Sequence, residues 1–227
     1  MRVLAIDTAL EACSVAVLDT GNPAAFVHES VSMTRGHAEA LMPMIARTLE
    51  TAKLAVADVD RIAVTVGPGS FTGLRVGIAA ARGLALAANK PAIAVTTFAG
   101  FAAPYIAADD SLPVVAAIDA RHDHLYLQVF GPGGRTLVAP RLVSLNDALR
   151  IATSGSPRVV GTGARMLATN WPSAAAIPAA IDPRRAPDIG WVARLGAAAQ
   201  ETGTPPKPLY LRPPDAKPQP AAQVAKR

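Results

Sequence analysis

Cysteine, histidine, aromatic rings and charge are all scarce in this 227-residue chain, and each shortage closes off a class of chemistry. The single cysteine, Cys13, cannot form an internal disulfide and suits a reducing compartment. It sits in an alternating apolar run and reads as a small core residue rather than a nucleophile. Of the four histidines, His37 opens a helical segment, but the position one turn on, where a second imidazole would share its face, is Leu41. His122 and His124 share a strand face with no third ligand nearby, so no metal site is expected. Aromatic residues make up 4% and charged residues 17% of the chain. The formal net charge is +5, but no dense Lys/Arg run with interleaved aromatics occurs, and Lys217, Lys226 and Arg227 crowd the very end. Direct binding of nucleic acid by this chain is not expected. The opening residues run from Met1-Arg2 straight into a strand pattern without a signal-peptide layout. The longest apolar stretch, Val76 to Val95, is broken by Arg82 and Lys90 and does not read as a membrane span. A cytoplasmic location, with no membrane contact, is the expectation.

The most informative segment present is Gly67-Pro68-Gly69-Ser70-Phe71-Thr72-Gly73-Leu74-Arg75. A short buried strand, Ile62 to Val66, precedes it, and a long run of Ala, Gly, Leu and Ile that reads as a helix follows it. Strand, glycine turn and helix start gather free backbone N–H groups in one concave place that suits an anion. The standard phosphate loops do not fit. No lysine lies between Lys53 and Lys90, the third glycine of a dinucleotide fingerprint comes one position late, and Pro68 removes a donor. Two readings stay open: an anion site built on Asp7, Gly67, Gly69, Ser70, Thr72 and Gly73, or a tight turn that lets strand and helix pack closely. No histidine in sequence context marks Ser70 or Thr72 as a nucleophile, and either hydroxyl suits a helix cap.

The organisation repeats. Val3–Asp7 and Cys13–Leu18 read as strands joined by Thr8-Ala9-Leu10-Glu11, with a third strand at Phe26–Ser32. A helix over His37–Ala52, the strand at Ile62, a helix over Leu74–Ala88, a strand at Ile93–Val95 and a helix over Thr97–Ala107 follow. Val115–Asp119 then echoes Val3–Asp7, again a buried strand ending on an aspartate, followed by an alternating strand at Leu125–Phe130. An acid closing the first strand of each of two lobes is the plan of the actin-like ATPase and sugar-kinase (ASKHA) fold. The expected layout is a first lobe at 1–108, a reduced second lobe at 109–203 and a proline-rich extended segment at 204–227, disordered at its end. In the second lobe only a weak strand at Arg158–Val160, a short helix near Gly163–Ala168 and a final helix at Ile189–Glu201 stand out. Leu209-Tyr210-Leu211-Arg212 is apolar enough to dock back on the body. Asp7 and Asp119 suit a hydrated magnesium ion, but both turns lack the glycines that close around phosphate, and Glu11 adds a repelling acid.

The helix at Leu74–Ala88 carries only Arg75 and Arg82 as charges and is otherwise apolar nearly all round, so it must be covered on more than one side. The face flattened by Gly77, Ala80, Ala81 and Gly83 is expected to meet a partner helix. The first helix offers Leu41, Met44, Ile45 and Leu49 inward, with Ala38, Met42 and Ala46 left over. A helix-mediated protein interface is expected at His37, Ala38, Leu41, Met42, Ile45, Leu74, Arg75, Gly77, Ile78, Ala81 and Arg82.

Val3–Asp7-Thr8 with Glu11–Val15, the helix opening His37–Pro43 and Gly67–Arg75 together resemble the TsaB (YeaZ) family, strongly over about residues 1–130 and weakly beyond. Ile118–Arg121 and Tyr210–Arg212 fall where that family has similar segments. The resemblance implies an actin-like fold with a reduced second lobe and no catalysis of its own. It implies a protein that binds and activates the catalytic paralogue TsaD through its first two long helices, with the ATPase TsaE joining. The complex transfers threonylcarbamoyl to adenosine 37 of tRNA, which the chain meets only through the complex. It implies no cofactor of its own, with room for ATP or ADP and magnesium at the complex interface, and a homodimer when alone. The catalytic paralogue carries a metal-binding histidine pair in the helix matching 37–52, and Leu41 here agrees with a non-catalytic role. The competing reading is an independent actin-like nucleotide-binding or phosphotransfer enzyme. A peptidase would need a triad or metal site that the sequence does not display.

Overall fold

The computed structural model describes residues 1–22 and 24–212; the tail expected to be disordered lies outside the described residues. Two five-stranded sheets organise the chain. The first takes β1 (Arg2–Asp7), β2 (Ala12–Asp19), β3 (Val27–Ser32), β4 (Arg61–Thr65) and β5 (Ala92–Val95) in the order β3-β2-β1-β4-β5. The second takes β6 (Val114–Asp119), β7 (His124–Phe130), β8 (Thr136–Ser144), β9 (Arg158–Val160) and β10 (Ala180–Asp182) in the order β10-β9-β6-β7-β8. Read from the other edge, the second order repeats the first. Each sheet is an antiparallel three-strand meander followed by two parallel strands on the far side of its first strand. That duplicated topology is the actin-like fold.

Among the described residues six α-helices complete it: α1 (His37–Ala52), α2 (Phe71–Ala88), α3 (Thr97–Ala108), α4 (Leu145–Ala152), α5 (Ala164–Thr169) and α6 (Ile189–Ala198). Strand alternation decides which helix meets which face. Leu4 and Ile6 of β1 join Leu41, Met44 and Ile45 of α1 and Leu74, Ile78 and Ala81 of α2 in one core. Val3 and Ala5 point the other way, onto Ile189, Val192 and Ala193 of α6. In the second sheet Val115 and Ala117 face Ala148 of α4 and Leu167 of α5, while Val114, Ala116 and Ile118 meet Phe98 and Phe101 of α3. The helices α3 and α6 touch each other and form the layer between the sheets. This placement corrects the counting of the last helix with the second lobe. α6 lies on the first sheet so closely that a Cβ on Gly196 would overlap that of Ala63. Buried Arg61 of β4 holds the helix end from below, its guanidinium donating to the carbonyls of Gly196, Ala197 and Ala199 at 2.8–3.2 Å.

Within the second lobe, β8, α4 and β10 go beyond the elements expected from sequence. β8 is an edge strand containing Pro140 and paired only with β7 through a shifted register. The eight residues of α4 begin at an N-cap, Ser144, whose hydroxyl accepts from the Asp147 N–H at 3.2 Å and donates to its carboxylate at 2.7 Å. The three-residue β10 exists only because β9 is there to pair with it.

Candidate functional site

At the end of β4 the chain reverses through Gly67, held at φ 109°, and a cis Gly67–Pro68 bond into the N-terminus of α2. The glycine turn lies flat on the β1–β2 turn, backbone against backbone. Ser70 N–H donates to the Ala9 carbonyl at 2.7 Å, and the Thr8 hydroxyl donates to the Gly73 carbonyl at 2.7 Å. A Cβ on Gly69 would overlap the Ala9 carbonyl oxygen, one on Gly73 the Thr8 carbonyl oxygen, and one on Gly77 the Thr8 hydroxyl. These three glycines are therefore required by close approach. The Ser70 hydroxyl accepts from Gly73 N–H at 3.3 Å, capping α2. The N–H groups of Ser70, Gly73 and Leu74 are thus used inside the protein, Leu74 donating to the Ser70 carbonyl at 2.9 Å.

Asp7 sits beneath this seam, fully buried. One carboxylate oxygen accepts from the Thr65 hydroxyl at 2.5 Å and from Ala9 N–H at 3.1 Å; the other has no partner among the described residues. Burial pushes its pKa up from the ordinary 3.8, against the opposing pull of those two hydrogen bonds and of His37. Fully buried, the Asp7 carboxyl is directed to its own turn and to Thr65. Of the anion candidates, Ser70 and Thr72 are exposed at the mouth of the turn, while Asp7, Gly67 and Gly73 are buried. Among the described residues no group of three His, Cys, Asp or Glu is placed to hold a metal ion. His37 is buried too, its Nε2 3.2 Å from the Leu10 carbonyl oxygen.

A raised carboxyl pKa makes a pH prediction. Between the unfolded value and the raised folded value the native state holds a proton that the unfolded chain has released, so stability falls as pH rises through that window. Asp7→Asn keeps an acceptor for Thr65 and Ala9 without the charge. Its thermal midpoint should decline less than the wild type's between about pH 4 and pH 7. Parallel melting curves for the two proteins across that range would contradict the assignment.

The second lobe repeats the device. Asp119 accepts from Arg121 N–H at 2.7 Å, as Asp7 does from Ala9 two residues on. A second glycine turn, Gly161-Thr162-Gly163, lies against β6, with Gly163 N–H donating to the Ala117 carbonyl at 3.0 Å and the Thr162 hydroxyl accepting from Asp119 N–H at 2.9 Å. Sequence reading passed over this turn, although two glycines directly after the β9 strand were the available signal. Between the two turns opens a cleft of about 740 Å³, walled by Glu11 and Phe71 of one lobe and by Asp119, Tyr126 and Arg165 of the other. The Arg185–Glu11 ion pair, at 2.8 Å, spans it.

The expected partner surface divides in two. His37, Leu41 and Ile45 of α1 and Leu74, Gly77, Ile78 and Ala81 of α2 are buried on the sheet, so their assignment to a partner-facing surface is corrected. The expectation took the small residues for a contact with another helix, whereas their smallness serves the seam with Thr8 and the sheet. Ala38 and Met42 of α1 and Arg75 and Arg82 of α2 do face outward. They share that surface with Phe71 and Leu86, which are 51% and 84% exposed. Arg75 lies 3.8 Å above the Phe71 ring. By length and composition alone α2 would span a membrane; its buried stripe is packed on the sheet.

Comparison with known proteins agrees with this layout. A family model described as "TsaD: tRNA N6-adenosine threonylcarbamoyltransferase" matches residues 30–179. The chain is 42% identical over 126 residues to the Escherichia coli tRNA threonylcarbamoyladenosine biosynthesis protein TsaB, covering 56% of this chain and 53% of that one. The match thus spans about half the length of that relative. An uncharacterized Mycobacterium tuberculosis protein is 33% identical over 218 residues, covering 95% of this chain and 94% of its own length. The solved structure of YeaZ from Pseudomonas aeruginosa superposes with a TM-score of 0.76 at 32% identity, covering 92% of this chain and 99% of that one. With motif, duplicated topology and near full-length structural likeness in agreement, the chain belongs to the TsaB (YeaZ) family.

Proposed function

We propose that this chain is a non-catalytic partner that binds and activates a TsaD-type threonylcarbamoyltransferase, in the modification of adenosine 37 of tRNA. The observation that carries the reading is the contrast between its two surfaces. The glycine turn is packed backbone to backbone on the β1–β2 turn, with Gly69 and Gly73 against the carbonyls of Ala9 and Thr8, which supports a structural use of these glycines. The outer face of α1 and α2 meanwhile leaves Met42, Phe71 and Leu86 uncovered. In this reading the catalytic paralogue docks on that outer face, TsaE joins the pair, and tRNA is met through the complex in the cytoplasm. ATP or ADP with magnesium belongs to the complex interface and not to Asp7. Without its partner the chain covers the face with a second copy of itself.

Reconstitution tests this. Purified TsaD and TsaE, unmodified tRNA and the threonylcarbamoyl precursors are expected to yield modified adenosine at a substantial rate only when this chain is added. The chain alone is expected to turn over no ATP. Equal rates with and without the chain would refute the activating role. ATP turnover by the chain alone that is lost in Asp7→Ala would replace it with an independent phosphotransfer enzyme.

A further inference from the structure

After α6 the chain runs without regular structure to residue 212, and its last described residues cross from one lobe to the other. Leu209 N–H donates to the Val66 carbonyl at 2.7 Å, and the Leu209 carbonyl lies directly over Gly67. Tyr210 stacks on Phe71 with ring centroids 5.5 Å apart and accepts from Arg75 Nε at 3.2 Å. Leu211, half-buried, packs against the apolar cluster of Phe98, Phe101 and Ile118, at the same margin as Leu10 and Tyr126. Arg212 reaches the wall of the interlobe cleft. Adjacent side chains thus touch the outer face of α2 and the interior of the cleft.

We propose that Leu209–Arg212 is a staple that couples the outer face of α2 to the interlobe cleft. The approach to the strap is loosely held: Thr202 to Pro205 are exposed ahead of buried Pro206, Tyr210 is 47% exposed, and Leu209 N–H bonds the Val66 carbonyl just past β4. Segments with few buried contacts open below the global unfolding free energy. Tyr210 and Leu211 are adjacent residues with contacts on different parts of the body, so a strap this short cannot release Tyr210 without disturbing Leu211. Anything that lands on Phe71 and Arg75 therefore biases Leu211 and Arg212, and a change in the cleft biases the outer face in return. The coupling is a property of the free chain and does not depend on the proposed function.

Hydrogen exchange read by mass spectrometry on the full chain, wild type against Tyr210→Ala and Leu211→Asp, tests it. Each variant strikes one end of the staple. Exchange is expected to rise at least tenfold at both ends in both variants: at Ser70, Gly73 and Leu74 by the outer face, and at Ala120 and Arg121 by the cleft. The strands β1 and β6 should keep their wild-type protection. An increase confined to the mutated end would overturn the proposal by showing two independent contacts. So would unchanged exchange, or a uniform rise that includes β1 and β6.

Discussion

Gly77→Arg is expected to leave no folded first lobe. Gly77 lies on the inner face of α2, where a side chain would run into the Thr8 hydroxyl and then into Val64 and Ile6. Arginine there must overpack a close-packed layer and bury a charge without a partner. Together these cost on the order of 5 kcal/mol or more, comparable to the whole stability of a typical domain. Circular dichroism and thermal melting should show loss of the cooperative transition. A midpoint within a few degrees of wild type would mean that the inner face is assigned wrongly. Gly83→Arg, on the same helix but with open space around its Cβ, is the control. It should fold, and the exchange of glycine for a better helix former can even add some tenths of a kcal/mol.

The opposite face predicts the opposite pattern. Leu86→Glu and Met42→Glu change residues that are 84% and 49% exposed, so neither should move the melting midpoint by more than a few degrees. Both should cripple association with the partner, because an interface centred on that patch would have to bury an unpaired carboxylate. Truncations at such centres typically cost about 2 kcal/mol or more, a loss of at least thirtyfold in affinity. Self-association measured by sedimentation should fall in parallel if the second copy uses the same face. Retained partner binding in both variants would remove the outer α1/α2 face from the proposed function.

Much of this protein was legible before its fold, and the parts that were have local causes. The span of α1 was readable because its apolar period is set within the helix itself. The duplicated lobe was readable because β1 and β6 are buried runs that end on an aspartate, and each aspartate hydrogen-bonds its own turn two residues on. The motif Gly67–Arg75 was likewise legible, as was the docking of Tyr210. What it did not disclose was whether the glycines spare room for a ligand or for the protein itself. Glycine looks the same in sequence whether its missing side chain leaves space for phosphate or for the carbonyls of Thr8 and Ala9.

Helix α2 marks the boundary most sharply. Its composition, apolar almost all round, led to the expectation of cover on more than one side. Which side meets the sheet depends on the angle at which the Ser70 cap launches the helix over β4, and only tertiary packing sets that angle. The structure therefore turned Gly77 and Ala81 inward and left Phe71 and Leu86 outside. The same reason governs α6 and the short strand β10, whose places are made by surfaces remote in sequence. Sequence alone determined the duplicated strand pattern and the motifs, because periodicity and turn chemistry are local. The inward face of each helix and the packing of the glycine turn on Thr8 and Ala9 were decided by contacts between residues far apart in the chain, which no local pattern encodes.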